Sequence, residues 1–157
     1  MFKESKQLGK LPKDQRLATI TIIHKAGQPR EECSGYWPIS LLGAEAKILA
    51  KVLASRLTRV ITTLIHPDQS GFMPKRNTAL NLRHLHGILG QKDKISESAL
   101  ILSLKAKMAF GTVEWDYMFE VLRILGFGPN FAKWVWLLYS QPLGQVKVND
   151  RLSMEFE

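Results

Sequence analysis

The chain has 157 residues, 45% of them apolar, and a formal net charge of +8 at neutral pH. This length and composition suffice for one globular domain with a sizeable core, and the apolar runs are too short for a membrane-spanning helix. The single cysteine, Cys33, excludes an intramolecular disulfide and fits a reducing compartment. We therefore expect an intracellular protein, in the cytoplasm or the nucleus, without a membrane partner.

The positive charge is concentrated in the first half of the chain. Residues 1–76 hold 13 Lys/Arg against 6 Asp/Glu, a net charge of +7, whereas residues 77–157 hold 9 against 8. A basic surface attracts polyanions and gives salt-dependent, sequence-independent binding to phosphate backbones. The first half is therefore a candidate nucleic-acid-binding surface. The alternative is a charged surface that only keeps the protein in solution, because no basic run is dense.

Residues 1–91 contain one strand pattern and two helix patterns. Residues 18–24 alternate β-branched side chains and predict a strand. Residues 44–64 carry apolar side chains at helical spacing and predict a long amphipathic helix with a buried stripe. Residues 78–91 predict a second helix with Asn77 as its cap. The stripe of the long helix consists of Ile48, Leu49, Val52, Leu53, Leu57, Val60, Ile61 and Leu64.

The next segment, residues 91–98, is polar and typical of a surface linker. Residues 100–104 are continuously apolar apart from one serine and predict a buried strand. Helices are predicted over residues 114–125 and 130–140 because the Gly-Phe-Gly-Pro sequence at 126–129 supplies a stop and then a start signal.

The last predicted element is a β-hairpin. Its strands are residues 146–148 and 152–156, and Asn149 and Asp150 form the turn between them. Helices and strands therefore share the chain, which predicts an α+β fold.

The segment that carries the most chemical information is residues 100–117. It resembles the palm motif S-L-D-A-E-K-A-F-D-x-V-E-W-x-Y of reverse transcriptases from non-LTR (LINE-type) retrotransposons, except at its charged positions. Lys105 stands where that family has its first aspartate. Three more family positions, Glu, Lys and Asp, are occupied here by Lys107, Met108 and Gly111.

Three earlier blocks resemble the same family, in its order and at its spacing. The block that begins at Leu11 resembles L-P-x-x-x-x-x-A-x-I-x-x-I-x-K-x-G. The block that begins at Glu32 resembles E-C-S-x-Y-R-P-I-S-L-L, followed by K-I-L-A-K-x-L-A-x-R-L. The third block resembles I-x-P-D-Q-x-G-F-x-P-x-R and ends at Arg76. Lys75, just before it, replaces a family Gly that served a tight turn.

The resemblance implies an incomplete right-hand polymerase, fingers plus the first part of the palm, with long amphipathic helices packed on a small sheet. It divides the chain into an N-terminal flanking segment at 1–10, a fingers-like region at 11–98 and a partial palm at 99–157. The partial palm includes the degenerate first aspartate motif. The family's paired Asp-Asp motif is expected beyond these residues, since the chain contains no adjacent aspartates.

The activity implied by the resemblance is RNA-directed DNA synthesis with Mg²⁺ and deoxynucleotides. Two-metal phosphoryl transfer needs carboxylates that hold both ions, and the ammonium group of Lys105 has no acceptor atom for a metal. We therefore predict no catalysis and no cofactor in this chain, although Mg²⁺ is expected in intact family members. The next acids, Glu114 and Asp116, are expected at a helix N-terminus.

The resemblance assigns nucleotide- or nucleic-acid-binding roles to Lys25, Arg76 and Phe110. Lys25 matches a basic residue of the fingers strand, and its alternative is a solvated loop lysine. Phe110 matches the aromatic residue beneath the incoming sugar, and its alternative is a core aromatic at a turn. Trp37 replaces a family Arg that contacts the incoming nucleotide, and an indole cannot supply that bidentate fork.

Three functional hypotheses remain open. The chain is an inactive segment of a retrotransposon reverse transcriptase, a non-catalytic module that binds RNA or DNA through its basic surface, or a structural or interaction remnant. The expected partner is RNA or an RNA/DNA hybrid, bound weakly and with a strong salt dependence. The oligomeric state is left open by the sequence.

Overall fold

The computed structural model describes residues 2–91 and 100–157. It forms two compact units, the first made of residues 1–54 and 126–157 and the second of residues 55–125. Nearly all of the predicted linker at 91–98 lies outside the described residues, and so does the predicted domain boundary at residue 98. The domain boundaries therefore stay a prediction.

The first unit contains a mixed four-stranded sheet with the strand order β2-β1-β3-β4. The strands are β1 (Leu17–His24), β2 (Tyr36–Leu42), β3 (Leu143–Val148) and β4 (Arg151–Leu152). β1 pairs with β2 in antiparallel and with β3 in parallel orientation, and β4 pairs antiparallel with β3. Helices combined with this small sheet confirm the predicted α+β class.

β2 forms although no strand was predicted there. Pro38 lies in its interior, opposite Ile22 of β1, and a proline cannot donate a ladder hydrogen bond. β2 is the outermost strand of the sheet, which is the position that tolerates proline. The aromatic and branched residues of Tyr36–Leu42 were a strand signal that the sequence analysis did not use.

The predicted C-terminal hairpin forms around the predicted turn, but its second strand is Arg151–Leu152 and not residues 152–156. Asn149 and Asp150 have φ values of 49° and 60°, and positive φ at both central residues is the signature of a two-residue type I′ turn. Lys147 Nζ lies 2.9 Å from the carboxylate of Asp150. This hydrogen bond lowers the pKa of Asp150, so the pairing is present at neutral pH and is lost as the pH falls through that lowered pKa.

The core of the first unit is formed by helices. Buried leucines at positions 11, 49, 53 and 137 make its centre, with Phe2, Phe131, Trp134, Val135 and Leu138 packed around them. They belong to α1 (Phe2–Leu8), α3 (Ala44–Leu64), α6 (Pro129–Tyr139) and the turn before the short α2 (Lys13–Arg16).

The predicted stripe of α3 is only partly buried. Leu49 and Leu53 are 7% and 5% exposed, whereas Ile48 and Val52 are 57% and 45% exposed. Consecutive helical residues point about 100° apart, so Ile48 and Val52 lie beyond the surface that the core covers. The prediction that the whole stripe forms core is therefore wrong.

The second unit contains α4 (Thr78–Leu89) and α5 (Trp115–Ile124). The predicted cap of α4 is confirmed, because Asn77 Oδ1 accepts the N–H of Ala79 at 2.9 Å. The four predicted helices all form, with ends that differ by at most two residues from the prediction. Among the helices of the described residues, none is both long enough and apolar enough to cross a bilayer.

The predicted buried strand at residues 100–104 is wrong. The segment is irregular, and its apolar side chains are 58–85% exposed. A strand exists only where a neighbour pairs with its backbone groups, and none of the described strands pairs with this segment.

Two glycine substitutions should change stability in opposite directions. A Cβ on Gly144 would lie 2.8 Å from the ring of Phe156, whereas one on Gly87, inside α4, would meet nothing within 4 Å. We expect Gly144→Ala to destabilise by about 1 kcal/mol through overpacking. Gly87→Ala should stabilise by about 0.5–1 kcal/mol through helix propensity. Urea denaturation followed by circular dichroism measures both, and an unchanged midpoint for Gly144→Ala would contradict the packing of Phe156.

Candidate functional site

Lys25 directly follows β1, and its side chain lies against the edge strand β2. Its Nζ donates to the carbonyl oxygen of Ser34 at 2.7 Å and lies 5.5 Å from the ring centroid of Trp37, within the range of a cation–π contact. Its backbone N–H donates to the carbonyl of Gly35 at 2.8 Å. Trp37, at the position where the resemblance implied an arginine, thus contacts a neighbouring cation.

The loop between β1 and β2 is tied down around Lys25. The His24 and Tyr36 rings meet edge to face, with centroids 5.3 Å apart, and the Tyr36 hydroxyl donates to the carbonyl of Arg30 at 3.0 Å. Ser34 Oγ donates to Glu32 at 2.9 Å. Lys25 is therefore a half-buried residue on a structured loop, and its predicted role in binding stays a prediction. Two of its three N–H donors remain for a ligand.

Arg76 binds the backbone at the end of α3. One terminal nitrogen donates to the carbonyls of His66 at 2.6 Å and Gln69 at 2.9 Å. The other donates to those of Thr62 at 3.0 Å and Ile65 at 2.9 Å. The guanidinium satisfies carbonyls that a helix end leaves free and places positive charge at the negative end of the helix dipole.

This geometry changes how Arg76 is interpreted. Four of its five N–H donors are used by the protein's own backbone. Its observed partners make it a structural residue of the loop between α3 and α4, and the predicted contact with nucleic acid stays a prediction.

The loop that Arg76 holds is strained. Phe72 and Lys75 adopt φ values of 58° and 61°, a left-handed conformation that favours glycine. This explains why a glycine suited the position of Lys75 in the resembled family. Asn81 Nδ2 donates to the carbonyl of Asp68 at 2.6 Å and fastens the loop to α4. Phe72, on this loop, is 90% exposed to solvent.

Phe110 lies on a turn in the same unit and is 82% exposed. Its ring meets that of Phe72 edge to face, with centroids 5.5 Å apart and an interplanar angle of 84°. The alternative of a core aromatic is therefore wrong. The sequence prediction assigned no role to Phe72, although an aromatic side chain after Gly71 in a loop with two prolines was a usable signal.

The residues present do not fit the Mg²⁺ site that the resemblance implies. Lys105 is exposed on the irregular segment, and its ammonium group cannot accept a metal. Glu114 occupies the N-cap position of α5 without a side-chain capping hydrogen bond, and Asp116 lies in the first turn, so both acids are at the helix N-terminus as predicted. Within residues 2–91 and 100–157, no three His, Cys, Asp or Glu side chains gather where they could hold an ion.

Comparison with known proteins gives consistent matches along the chain. The family described as "Reverse transcriptase (RNA-dependent DNA polymerase)" matches residues 23–156. The chain is 32% identical over 146 residues to "Transposon TX1 uncharacterized 149 kDa protein" of Xenopus laevis, covering 93% of the chain and 11% of that relative. It is 32% identical over 125 residues to "Probable RNA-directed DNA polymerase from transposon BS" of Drosophila melanogaster, covering 77% of the chain.

A third relative is "RNA-directed DNA polymerase from mobile element jockey" of Drosophila melanogaster, 28% identical over 115 residues, which cover 72% of the chain. The chain spans 11%, 14% and 13% of the lengths of these three relatives. It therefore corresponds to a small part of each.

Replacing Arg76 should destabilise the loop between α3 and α4. We expect Arg76→Ala to cost about 1–2 kcal/mol, because four carbonyl groups lose a charged donor. Arg76→Lys should recover only part of this, since an ammonium group lacks the planar fork. Arg83→Ala, on exposed α4, is the matched control for loss of one positive charge. Equal urea midpoints for Arg76→Ala and Arg83→Ala would mean that water replaces the guanidinium without cost.

Proposed function

The chain belongs to the reverse transcriptase family, and from this premise we propose that these 157 residues bind RNA or an RNA/DNA hybrid weakly and do not catalyse DNA synthesis. The relatives are proteins of transposons and mobile elements, which confirms the resemblance to retrotransposon reverse transcriptases. Two of them carry RNA-directed DNA polymerase in their names, and that activity is the parental activity in this proposal.

The finer architecture in this proposal is that of a right-hand polymerase. Residues 11–98 form a fingers-like region after a flanking segment at 1–10, and residues 99–157 form part of a palm. The order of the four motif blocks along the chain supports this assignment, as does the family match over residues 23–156.

The main observation that supports the absence of catalysis is Lys105, which stands at the position of the family's first aspartate. A two-metal reaction would need carboxylate oxygens at this point to hold the ions. A lysine supplies a positive charge that repels the ions and offers them no ligand atom. Glu114 and Asp116, the next acids along the chain, are placed at the start of α5.

Binding without catalysis is supported by charge and by the geometry around Lys25. Residues 1–76 have 13 Lys/Arg and 6 Asp/Glu, an excess that draws in a polyanion. Lys25 is held in place by Ser34 and Trp37 and keeps free donors for a phosphate oxygen. Because this cation is already ordered, little side-chain entropy is lost when it binds.

A second candidate function is a structural role in which another protein covers the sheet. Trp37, Ile39 and Leu41 alternate along β2 and so share one face of the sheet. They are 56%, 39% and 50% exposed, which is unusual for neighbouring large apolar side chains. Salt dependence separates the two functions, since apolar association does not weaken as salt rises.

The purified chain should extend no primer on an RNA template with Mg²⁺ or Mn²⁺. Lys105→Asp should also fail, because one restored carboxylate does not provide the ligands for two metal ions. Incorporation of labelled deoxynucleotide measures this, with an active reverse transcriptase as the positive control. Template-dependent incorporation that a chelator abolishes would refute the proposed inactivity.

Binding of single-stranded RNA should weaken steeply as salt rises. Lys25→Ala should lower the affinity by about twofold to fivefold at low salt, the range of an exposed ion pair. It should also reduce the slope of log K against log salt by about 0.7. Lys133→Ala on α6 removes the same charge outside the basic half and should have little effect. An affinity that does not change with salt would favour the structural role.

A further inference from the structure

We propose that Phe72 and Phe110 together form a stacking site for unpaired nucleobases of single-stranded RNA. This subsite rests on the proposed RNA-binding function and adds base contacts to its phosphate contacts. The two residues are 38 positions apart in the sequence, and the fold of the second unit brings their rings together.

The geometry leaves room for a base. The rings meet at an interplanar angle of 84° with centroids 5.5 Å apart, so the edge of one ring covers part of the other and open ring faces remain. Phe72 and Phe110 are 90% and 82% exposed. Covering the faces of two large apolar rings that are exposed to water is favourable in free energy. A nucleobase is flat and can stack on such a face.

Phe72 is held in this position by the backbone around it. Its own φ is 58°, and Gln69 Nε2 donates to the carbonyl of the adjacent Gly71 at 3.3 Å. Ser70 Oγ bonds to Thr78 Oγ1 at 3.4 Å, and Arg76 fixes both ends of the loop. A ring that is ordered before binding loses little entropy when a base stacks on it.

Phe110 is held by a separate hydrogen-bonded turn. Met108 has a φ of 50°, and its carbonyl accepts the N–H groups of Gly111 at 2.8 Å and Thr112 at 3.2 Å. The Thr112 hydroxyl donates to the same carbonyl at 3.2 Å. Both aromatic residues therefore project from turns whose backbone is tied down.

Charge identifies the partner as a polyanion. The described residues of the second unit, 55–91 and 100–125, contain eight basic and four acidic side chains, a net charge of +4. Five of the basic residues lie in the segments that carry the two rings: Lys75, Arg76, Arg83, Lys105 and Lys107. This positive charge does not attract an apolar protein segment, whereas it does attract a phosphate backbone. Bases in a duplex are already stacked on each other, so an exposed ring pair selects single strands.

Fluorescence anisotropy of labelled oligonucleotides tests the stacking site. The probes are a 15-nucleotide oligouridine, an abasic strand of equal length and a duplex RNA, at one fixed salt concentration. We expect Phe72→Ala and Phe110→Ala each to weaken oligouridine binding at least about fivefold. Binding to the abasic strand and the duplex should not change. Phe72→Trp should retain binding, because it keeps an aromatic face.

Controls separate stacking from a general loss of structure. Phe72→Leu keeps apolar bulk without a π face and should behave like Phe72→Ala, while its circular dichroism spectrum stays that of the parent chain. Met154→Ala, at a side chain that is 89% exposed in the first unit, should leave all three affinities unchanged. The alanine variants should also keep the parent's salt slope, unlike Lys25→Ala.

Three outcomes would overturn the stacking site. Equal losses on oligouridine and the abasic strand would mean that the variants act through the fold, and unchanged affinities would mean that the rings touch no base. Loss of a concentration-dependent dimer in the variants would make the ring pair a contact between two copies. If the parent chain bound no RNA at any salt concentration, the proposed function would fall as well, which distinguishes the two failures.

Discussion

Parallel pairing between β1 and β3 is the contact on which the first unit depends. It joins residues 17–21 to residues 143–147, and Gln145 Nε2 adds a hydrogen bond to Thr19 Oγ1 at 2.9 Å. Parallel strands cannot be joined by a tight turn, so this pairing closes a long chain segment. β3 lies on one side of β1 and β2 on the other, and β2 has no described strand beyond it. Trp37 is exposed on this edge strand, with Lys25 beside it.

The second unit is organised by hydrogen bonds more than by burial. Neither α4 nor α5 contains a buried residue, and the loop before α4 is fixed by Arg76, Asn77 and Asn81 through backbone carbonyl and N–H groups. Segments with little apolar burial open more easily than a packed core. Aromatic rings on the turns of this unit are accessible to a ligand, but their apolar surface stays exposed to water in the free protein, which is unfavourable.

In the proposed function, loss of catalysis and retention of binding are chemically independent. Metal-assisted phosphoryl transfer requires acceptor oxygens, and a lysine at position 105 provides only donors. Binding to a phosphate backbone requires donors and positive charge, which residues 1–76 supply in excess. In that proposal, a lysine at position 105 removes the first property and adds one positive charge to the second. Trp37 stands where the resembled family has an arginine. It supplies no guanidinium group, but the ammonium group of Lys25 lies over its ring.

The sequence by itself determined the local elements and the chemistry at single positions. The four main helices, the cap at Asn77 and the turn at Asn149 follow from signals within a few residues, and so does the missing carboxylate at Lys105. Only the tertiary structure decided features that join distant residues: the pairing of β1 with β3, the edge strand at β2, the Arg76 contacts and the Phe72–Phe110 pair. The apolar residues 100–104 have the composition of a strand, but no described strand pairs with them. The preference of a segment for helix or strand depends on its own residues. Strand pairing and side-chain burial depend on which other segments the fold places beside it.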